Sequence, residues 1–189
     1  ATGNAVTLPL QAPRTTLNVD PTPHRSFANA SVALERVKAV KKAYDVKMND
    51  IVLALCAGAM RDYLIEIGDL PETPLTAQVP VSMRAEGDDE VGNKAGSLTC
   101  SLATDVSDPV ARLLTIHAST SAAKEMRQAM AEQGFGLQGY SYQADTGTLT
   151  VWYAQSRYRS QAEAFGRLSR VLAQRAPPEV SNFTLIEVY

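Results

Sequence analysis

Apolar side chains recur at helical spacing in the first third of the chain. Between Leu34 and Tyr44 they return every three or four residues, which predicts an amphipathic helix that opens near Ser31. A second helix is predicted over residues 51–67, and its first ten residues, IVLALCAGAM, are apolar on every side. We therefore expect this second helix to be central rather than superficial.

Cap signals mark the beginnings of two later helices. Asp108 followed by Pro109 places an N-cap residue before a proline at the first helical position, and this helix is predicted to reach about Glu132. Ser160 is placed to cap a last helix that ends near Gln174. Four apolar residues are predicted to form the inward face of that last helix: Ala164, Leu168, Val171 and Leu172.

Alternation of apolar and polar residues predicts the strands. It is clearest over residues 75–84 and continues over 95–104. Residues 137–144 and 148–155 are predicted to form a hairpin, in which Gly147 suits a positive φ. The closing residues VSNFTLIEVY predict one more strand.

This order of elements predicts the fold class. Neighbouring strands without intervening helices exclude a regular doubly wound sheet. We expect an α/β protein of the α+β type, with a mixed, largely antiparallel sheet and helices packed on one face. A chain of 189 residues suits a single domain over 1–189, in which residues 1–30 form an extended, proline-rich leading segment.

The composition of the chain limits the kinds of partner that it is expected to bind. The net charge is −2, with 18 basic and 20 acidic residues interspersed, which gives no basis for binding nucleic acid. The longest apolar run is about half of the roughly twenty residues that a bilayer requires, and residues 1–13 lack the pattern of a signal peptide. We expect a cytoplasmic protein. Since the chain starts at Ala1, we expect it to be processed or part of something longer.

The residues alone offer little catalytic chemistry. Neither His24 nor His117 is followed at short spacing by an acid that would orient it, so an ordinary polar role is expected for both. A GxSxG elbow, a GxGxxG turn and a P-loop are missing from the sequence. Cys56 and Cys100 each lie in an apolar stretch, and we expect buried, reduced thiols and no metal site.

Several segments of the sequence, taken in their order along the chain, resemble a known protein family. KMNDIVLALCAGAMRDYL is followed by LPETPLTAQVPVSMR and then by GNKAGSLTCSLATDVSDPVARLLTIHASTSAAKEM. From about residue 10 to residue 127 the chain resembles the C-terminal part of bacterial wax ester synthase/diacylglycerol acyltransferases. That family belongs to the superfamily of chloramphenicol acetyltransferase and the condensation domains. The resemblance implies one half of a CoA-dependent acyltransferase fold.

The resemblance also implies an activity. The family transfers a fatty acyl group from acyl-CoA, as substrate and without a cofactor, to a long-chain alcohol or to diacylglycerol. Its general base is the second histidine of an HHxxxDG motif in the N-terminal half, and neither histidine of this sequence matches that motif. We therefore expect the chain to be inactive alone and to work with a histidine-bearing N-terminal half or another chain.

Three family motifs carry over to this sequence. The Asn-Asp motif falls on Asn49 and Asp50, and the Gly-Asn pair on Gly92 and Asn93. The PVSxR motif includes Ser82 and Arg84. The resemblance implies that these residues lie near the acyl tunnel or support it, while no residue of this chain is expected to be the catalytic base. Each motif also has a purely structural alternative. Asn49 or Asp50 can cap a helix, Ser82 and Arg84 can lie on a solvated strand face, and Gly92 and Asn93 can form a simple turn.

After about residue 130 the sequence departs from the family, and residues 131–189 are divergent or shortened. The family has a Val-Ser-Asn motif before the closing hairpin, whereas this sequence has one only after the last predicted helix, at residues 180–182. Two other functions therefore stay open: a non-catalytic scaffold or interaction domain, and a condensation-like domain that works with a carrier protein. The expected partners also include a second copy of the chain in a homodimer, and a membrane or lipid inclusion at its periphery.

Overall fold

The computed structural model describes residues 12–20, 22–24, 27, 29–82, 95–143, 146–176 and 178–188. Within them the helices are α1 (Leu34–Tyr44), α2 (Met48–Glu66), α3 (Pro109–Glu132) and α4 (Gln161–Arg175). The strands are β1 (Thr76–Ser82), β2 (Ala95–Ser101), β3 (Phe135–Gln143), β4 (Thr148–Gln155) and β5 (Asn182–Glu187). This order confirms the predicted sequence of helices and strands.

The described chain divides into two compact units. The sheet unit consists of Thr76–Cys100 and Ala118–Tyr189, and the helical unit of Ala12–Leu75 and Ser101–His117. The single domain that we predicted over residues 1–189 stays a prediction, since two compact units can belong to one domain.

The sheet unit contains the predicted mixed sheet. Its strands are ordered β3-β4-β5, with β3 antiparallel and β5 parallel to β4, and they pair Val151 with Tyr140 on one side and Leu185 on the other. Gly147 lies in the β3–β4 turn at φ 60°, as the sequence predicts. β1 and β2 form a separate two-stranded sheet. The mixed α/β class is confirmed, and the strands form two small sheets.

Two helices cover one face of the three-stranded sheet. The end of α3 and the inner side of α4 pack against alternate residues of β4. All four residues that were predicted to face inward from α4 are buried. Burial of the Leu168 side chain alone stabilises the fold by about 1.5–3 kcal/mol. Ser160 caps α4 as predicted, since its hydroxyl accepts a hydrogen bond from the Glu163 N–H at 3.4 Å.

Tyr140 joins β3 to the neighbourhood of β2. Its hydroxyl oxygen accepts a hydrogen bond from the N–H of Thr99 at 3.2 Å. Burial raises the pKa of the Tyr140 phenol. The phenol therefore stays protonated at neutral pH and contributes a hydroxyl to a largely apolar interior.

The helical unit has a smaller core. Val46, Ile51 and Leu113 are buried together, and Val37 and Val40 of α1 pack against them. The side chain of Asp69 binds the leading segment here, because its carboxylate accepts hydrogen bonds from the N–H and the hydroxyl of Thr16, both at 2.6 Å. These hydrogen bonds lower the pKa of the Asp69 carboxyl.

The prediction that the second helix is central was wrong. Only four residues of α2 are buried, and Val52, Leu55 and Tyr63 each remain about half exposed, at 49%, 50% and 48%. An apolar composition shows that a helix can be buried, but burial also requires a partner on each side. Here α1 and α3 cover one side of α2, and an apolar stripe remains at the surface. Within the described residues, the helices are too short or too polar to cross a membrane.

The expectation of two buried thiols is wrong for Cys56. Cys100 is buried, with its Sγ 3.7 Å from the carbonyl oxygen of Ala77, whereas Cys56 is exposed on α2.

We predict that a thiol reagent labels Cys56 on the order of 100-fold faster than Cys100, because Cys100 reacts only after local opening. Time-resolved labelling followed by mass spectrometry measures both rates. Cys56→Ser is the control, and equal rates for the two thiols in the folded protein would contradict the structure.

Candidate functional site

The first turn of α2 carries the Asn-Asp pair that the sequence singled out. The helix begins at Met48, with Lys47 in the N-cap position, so the prediction that Asn49 or Asp50 occupies that position was wrong. Asp50 instead lies at the third helical position, and its Oδ2 accepts a hydrogen bond from the N–H of Lys47 at 2.9 Å. A carboxylate here also interacts favourably with the positive end of the helix dipole. Asp50 therefore stabilises the helix start by reaching back.

Asp50 has a second partner on a different helix. The Nδ1 atom of His117, in α3, lies 2.7 Å from the same Oδ2 atom. The carboxylate side chain is fully buried and the imidazole is 30% exposed. A buried carboxylate is costly unless its oxygens are hydrogen-bonded, so these contacts fix the Asp50 side chain in one position. His117 is thus a partly buried polar residue, within the ordinary polar role that the sequence predicts, and its partner is Asp50.

Further contacts align α2 with the first half of α3. The guanidinium of Arg112 packs on Gly58, where a methyl group would lie 3.3 Å from its Nη2 atom. The same guanidinium donates to the carbonyl oxygen of Val106 at 2.8 Å, while its buried Nε has no hydrogen-bond partner among the described residues. The two helices therefore run antiparallel from the Asp50–His117 contact to this one. Small residues in α2 permit this approach.

The two halves of the Asn-Asp pair differ in what they can do. Asp50 is buried and held, whereas Asn49 is exposed on the first turn of α2. The amide of Asn49 can donate to a carbonyl oxygen and accept from a hydroxyl group. The arrangement therefore presents an amide at the surface from a turn that the Asp50–His117 contact holds in place.

Comparison with known proteins shows what this chain is similar to. The model of the family described as "Wax ester synthase/diacylglycerol acyltransferase catalytic domain" matches residues 1–52. A putative diacylglycerol O-acyltransferase of Mycobacterium tuberculosis (strain CDC 1551 / Oshkosh) is 53% identical over 114 residues, 60% of this chain and 25% of the relative. A probable diacylglycerol O-acyltransferase of that strain is 49% identical over 122 residues, 64% of this chain and 27% of the relative.

A solved structure agrees with these relatives. The wax ester synthase/diacylglycerol acyltransferase from Marinobacter aquaeolei VT8 is 41% identical, with a TM-score of 0.53, over 62% of this chain and 25% of that chain. The resemblance of this chain to the wax ester synthase/diacylglycerol acyltransferase family is confirmed. It spans about a quarter of the length of the curated acyltransferases it matches. The acyltransferase fold that the sequence implied is confirmed.

A second family covers the later part of the chain. The model described as "Exopolysaccharide biosynthesis protein YbjH" matches residues 66–188, nearly two thirds of the chain, so over that span the chain belongs to this family. An alignment of 114 residues is longer than the 65 residues that precede Glu66, so the acyltransferase similarity extends into the same span. The part that we predict to depart from the acyltransferases, residues 131–189, lies almost wholly inside the second match.

The remaining acyltransferase motifs lie largely outside the described residues. Ser82 is the last residue of β1, and nothing is described of its side chain. Arg84, Gly92 and Asn93 fall outside the described residues. The structure thus describes the side chains of the Asn-Asp motif, and a role of the other four residues at a substrate tunnel stays a prediction.

Since Asn49 does not cap α2, its replacement is expected to leave stability almost unchanged. We predict that Asn49→Ala alters the free energy of unfolding by less than about 0.5 kcal/mol, as for other exposed positions without a structural role. This replaces the loss of about 1 kcal/mol that a capping role implies. Urea unfolding followed by circular dichroism measures the difference. A loss of 1 kcal/mol or more would restore the capping role.

Proposed function

We propose that this chain forms the C-terminal part of an O-acyltransferase that transfers a fatty acyl group from acyl-CoA to a long-chain alcohol or diacylglycerol. The identity of 53% over 114 residues with a putative diacylglycerol O-acyltransferase carries this proposal. The general base is the histidine of an HHxxxDG motif, which this sequence does not contain. A histidine-bearing N-terminal half, or another chain, supplies it.

The helical unit supports a role for Asn49 beside the reacting groups. The base takes the proton of the acceptor hydroxyl, the oxygen attacks the thioester carbonyl carbon, and the bond to the CoA sulfur breaks as the thiolate takes up the proton. A fixed amide donor near that carbonyl stabilises the charge that develops on its oxygen. Asn49 has the chemistry for this role, and the buried Asp50–His117 contact holds the turn that presents it.

Reconstitution tests this function. The chain is produced together with the histidine-bearing N-terminal part of the Mycobacterium tuberculosis relative and supplied with palmitoyl-CoA and either hexadecanol or diacylglycerol. Formation of wax ester or triacylglycerol, with release of free CoA, is the expected result. A stable complex of the two parts that forms neither product would contradict the proposal.

A second candidate function is a part in exopolysaccharide biosynthesis. The family match over residues 66–188 favours it, because it covers more of the chain than the acyltransferase catalytic-domain match does. Acyl transfer remains the first proposal because it has both close relatives and a similar solved structure. Deleting the gene separates the two: loss of stored wax ester or triacylglycerol supports the first, and loss of extracellular polysaccharide supports the second.

The proposal includes partners for the exposed side of α2. The apolar stripe that contains Val52, Leu55 and Tyr63 suits coverage by the histidine-bearing half or by a second copy of the chain in a homodimer. Peripheral attachment of a cytoplasmic protein to a membrane or lipid inclusion is part of the same proposal. Sedimentation over a hundredfold dilution, with and without lipid vesicles, distinguishes these partners.

A further inference from the structure

The sheet unit contains a groove that the acyltransferase proposal does not use. It lies between the first turns of α4 and the strands β4 and β5, and it has a volume of about 500 Å³. A volume of this size suits a small-molecule ligand. Six residues line the groove: Tyr153, Gln161, Ala162, Phe165, Leu185 and Glu187.

An exposed aromatic ring forms one wall of the groove. Phe165 is 50% exposed, although its neighbours Ala164 and Leu168 on α4 are completely buried. In the described part of the sheet unit, the only other large apolar side chain with comparable exposure is Ile186, at 38%. The two neighbours of Ile186 in β5, Leu185 and Glu187, line the groove and Ile186 does not. An exposed ring in a concave site offers a ligand a flat apolar surface.

A carboxylate held by hydrogen bonds lies in the same groove. The Oε1 atom of Glu187 accepts a hydrogen bond from the Nε2 of Gln155 at 2.8 Å. The Oε1 of that Gln155 in turn accepts one from the N–H of Tyr158 at 2.8 Å. Among the described residues, the Oε2 atom of Glu187 has no hydrogen-bond partner, so it can accept one from a ligand. The strand and this network together keep the carboxylate in position.

We propose that this groove binds a pyranose sugar. A pyranose has an apolar face of C–H groups, which packs on the Phe165 ring, and a rim of hydroxyl groups, which donate to the Glu187 carboxylate. A purely apolar ligand leaves the Oε2 atom of the carboxylate desolvated without a hydrogen-bond donor, and an anionic ligand is repelled by the carboxylate. This inference is independent of acyl transfer.

Nuclear magnetic resonance of ring-labelled phenylalanine tests the proposal. The sequence contains four phenylalanines, so each ring can be assigned by substitution. The intact chain is titrated with methyl β-glucopyranoside, glucosamine and cellobiose. A saturable shift, largest for Phe165, is expected with at least one of them. Phe165→Ala is expected to weaken that binding about tenfold or more, as loss of a central aromatic contact does.

Matched variants separate binding in the groove from other effects. Ile186→Ala removes an apolar side chain of similar exposure from the same unit and is expected to change affinity less than twofold. Glu187→Gln is expected to weaken binding at least fivefold, because a hydroxyl donor then meets a neutral amide. Circular dichroism verifies that each variant is folded. Because Phe165 is half exposed, its replacement is expected to leave the fold intact.

Three outcomes would overturn the proposal. One is the lack of a saturable shift of Phe165 with all three sugars. Another is sugar binding that Phe165→Ala leaves unchanged, which moves the site elsewhere. The third is binding of decanoate in this groove in place of sugars. Acyl transfer by the reconstituted enzyme is measured separately with Phe165→Ala, so failure of one proposal is distinguishable from failure of the other.

Discussion

Replacing Asp50 with alanine is expected to lower the free energy of unfolding by about 2–4 kcal/mol. The side chain is fully buried and accepts two contacts on one oxygen, from the Lys47 N–H and from His117. Its removal leaves both groups without that acceptor and opens a small cavity between α2 and α3. The imidazole is 30% exposed, so water compensates part of the loss, and the estimate stays below that for a fully buried pair. Urea unfolding followed by circular dichroism measures the change.

Two variants identify the source of this loss. Asp50→Asn keeps an acceptor oxygen of the same size and is expected to lose less than Asp50→Ala. In a double-mutant cycle with His117→Ala, the two losses are expected to be non-additive by about 0.5–3 kcal/mol, as for residues in contact. Asn49→Ala, one residue away on the exposed side, is the matched control. A loss for Asp50→Ala no larger than that for Asn49→Ala would show that the buried contact does not stabilise the fold.

Local pattern was sufficient to predict where the elements lie. The Asp108-Pro109 signal placed the start of α3, and the carboxylate of Asp108 accepts a hydrogen bond from the Ala111 N–H at 2.7 Å. The hairpin β3–β4 and the inward face of α4 were also found correctly, because each follows from a short periodic segment. Periods of 3.6 and 2 residues are local properties of a chain, so they can be recognised in one sequence.

The environment of each element was less predictable, because it depends on distant residues. The apolar run in α2 shows that Val52 and Leu55 can be buried, and the structure leaves both half exposed. Cys56 was misjudged for the same reason. Covering all sides of a helix requires partners around it, which periodicity within the helix does not specify.

The Asp50–His117 contact shows which part of the site was beyond the local pattern. The two residues are 67 positions apart, and a search for an acid near each histidine in sequence could not pair them. A weaker signal was present: His117 follows the apolar Leu113 by four positions, so both lie on one side of α3. Leu113 packs with Ile51, the neighbour of Asp50. The shared face of Leu113 and His117 identifies Asp50 as a partner only if it is already known that this face packs on α2.

The isolated chain is expected to transfer acyl groups about 10²–10⁴-fold more slowly than the reconstituted enzyme. The reason is the general base, since proton transfer by a positioned side chain contributes a factor of this size. Release of CoA from palmitoyl-CoA in the presence of hexadecanol is measured with the chain alone, the N-terminal part alone and the two together. Multiple turnovers by the chain alone at the rate of the combination would contradict the proposal.

Variants in the combined enzyme distinguish the contribution of the histidine base to the rate from that of the Asn49 amide. Replacing the second histidine of the partner's HHxxxDG motif with alanine is expected to reduce the rate to that of the chain alone. Asn49→Ala, which leaves stability almost unchanged, is expected to lower kcat by about 10²-fold or more if its amide stabilises the developing oxyanion, with a smaller effect on KM. Asn49→Asp, which places a negative charge there, is expected to be at least as damaging. Full activity of both Asn49 variants would leave the Asn-Asp pair with only the structural role of Asp50.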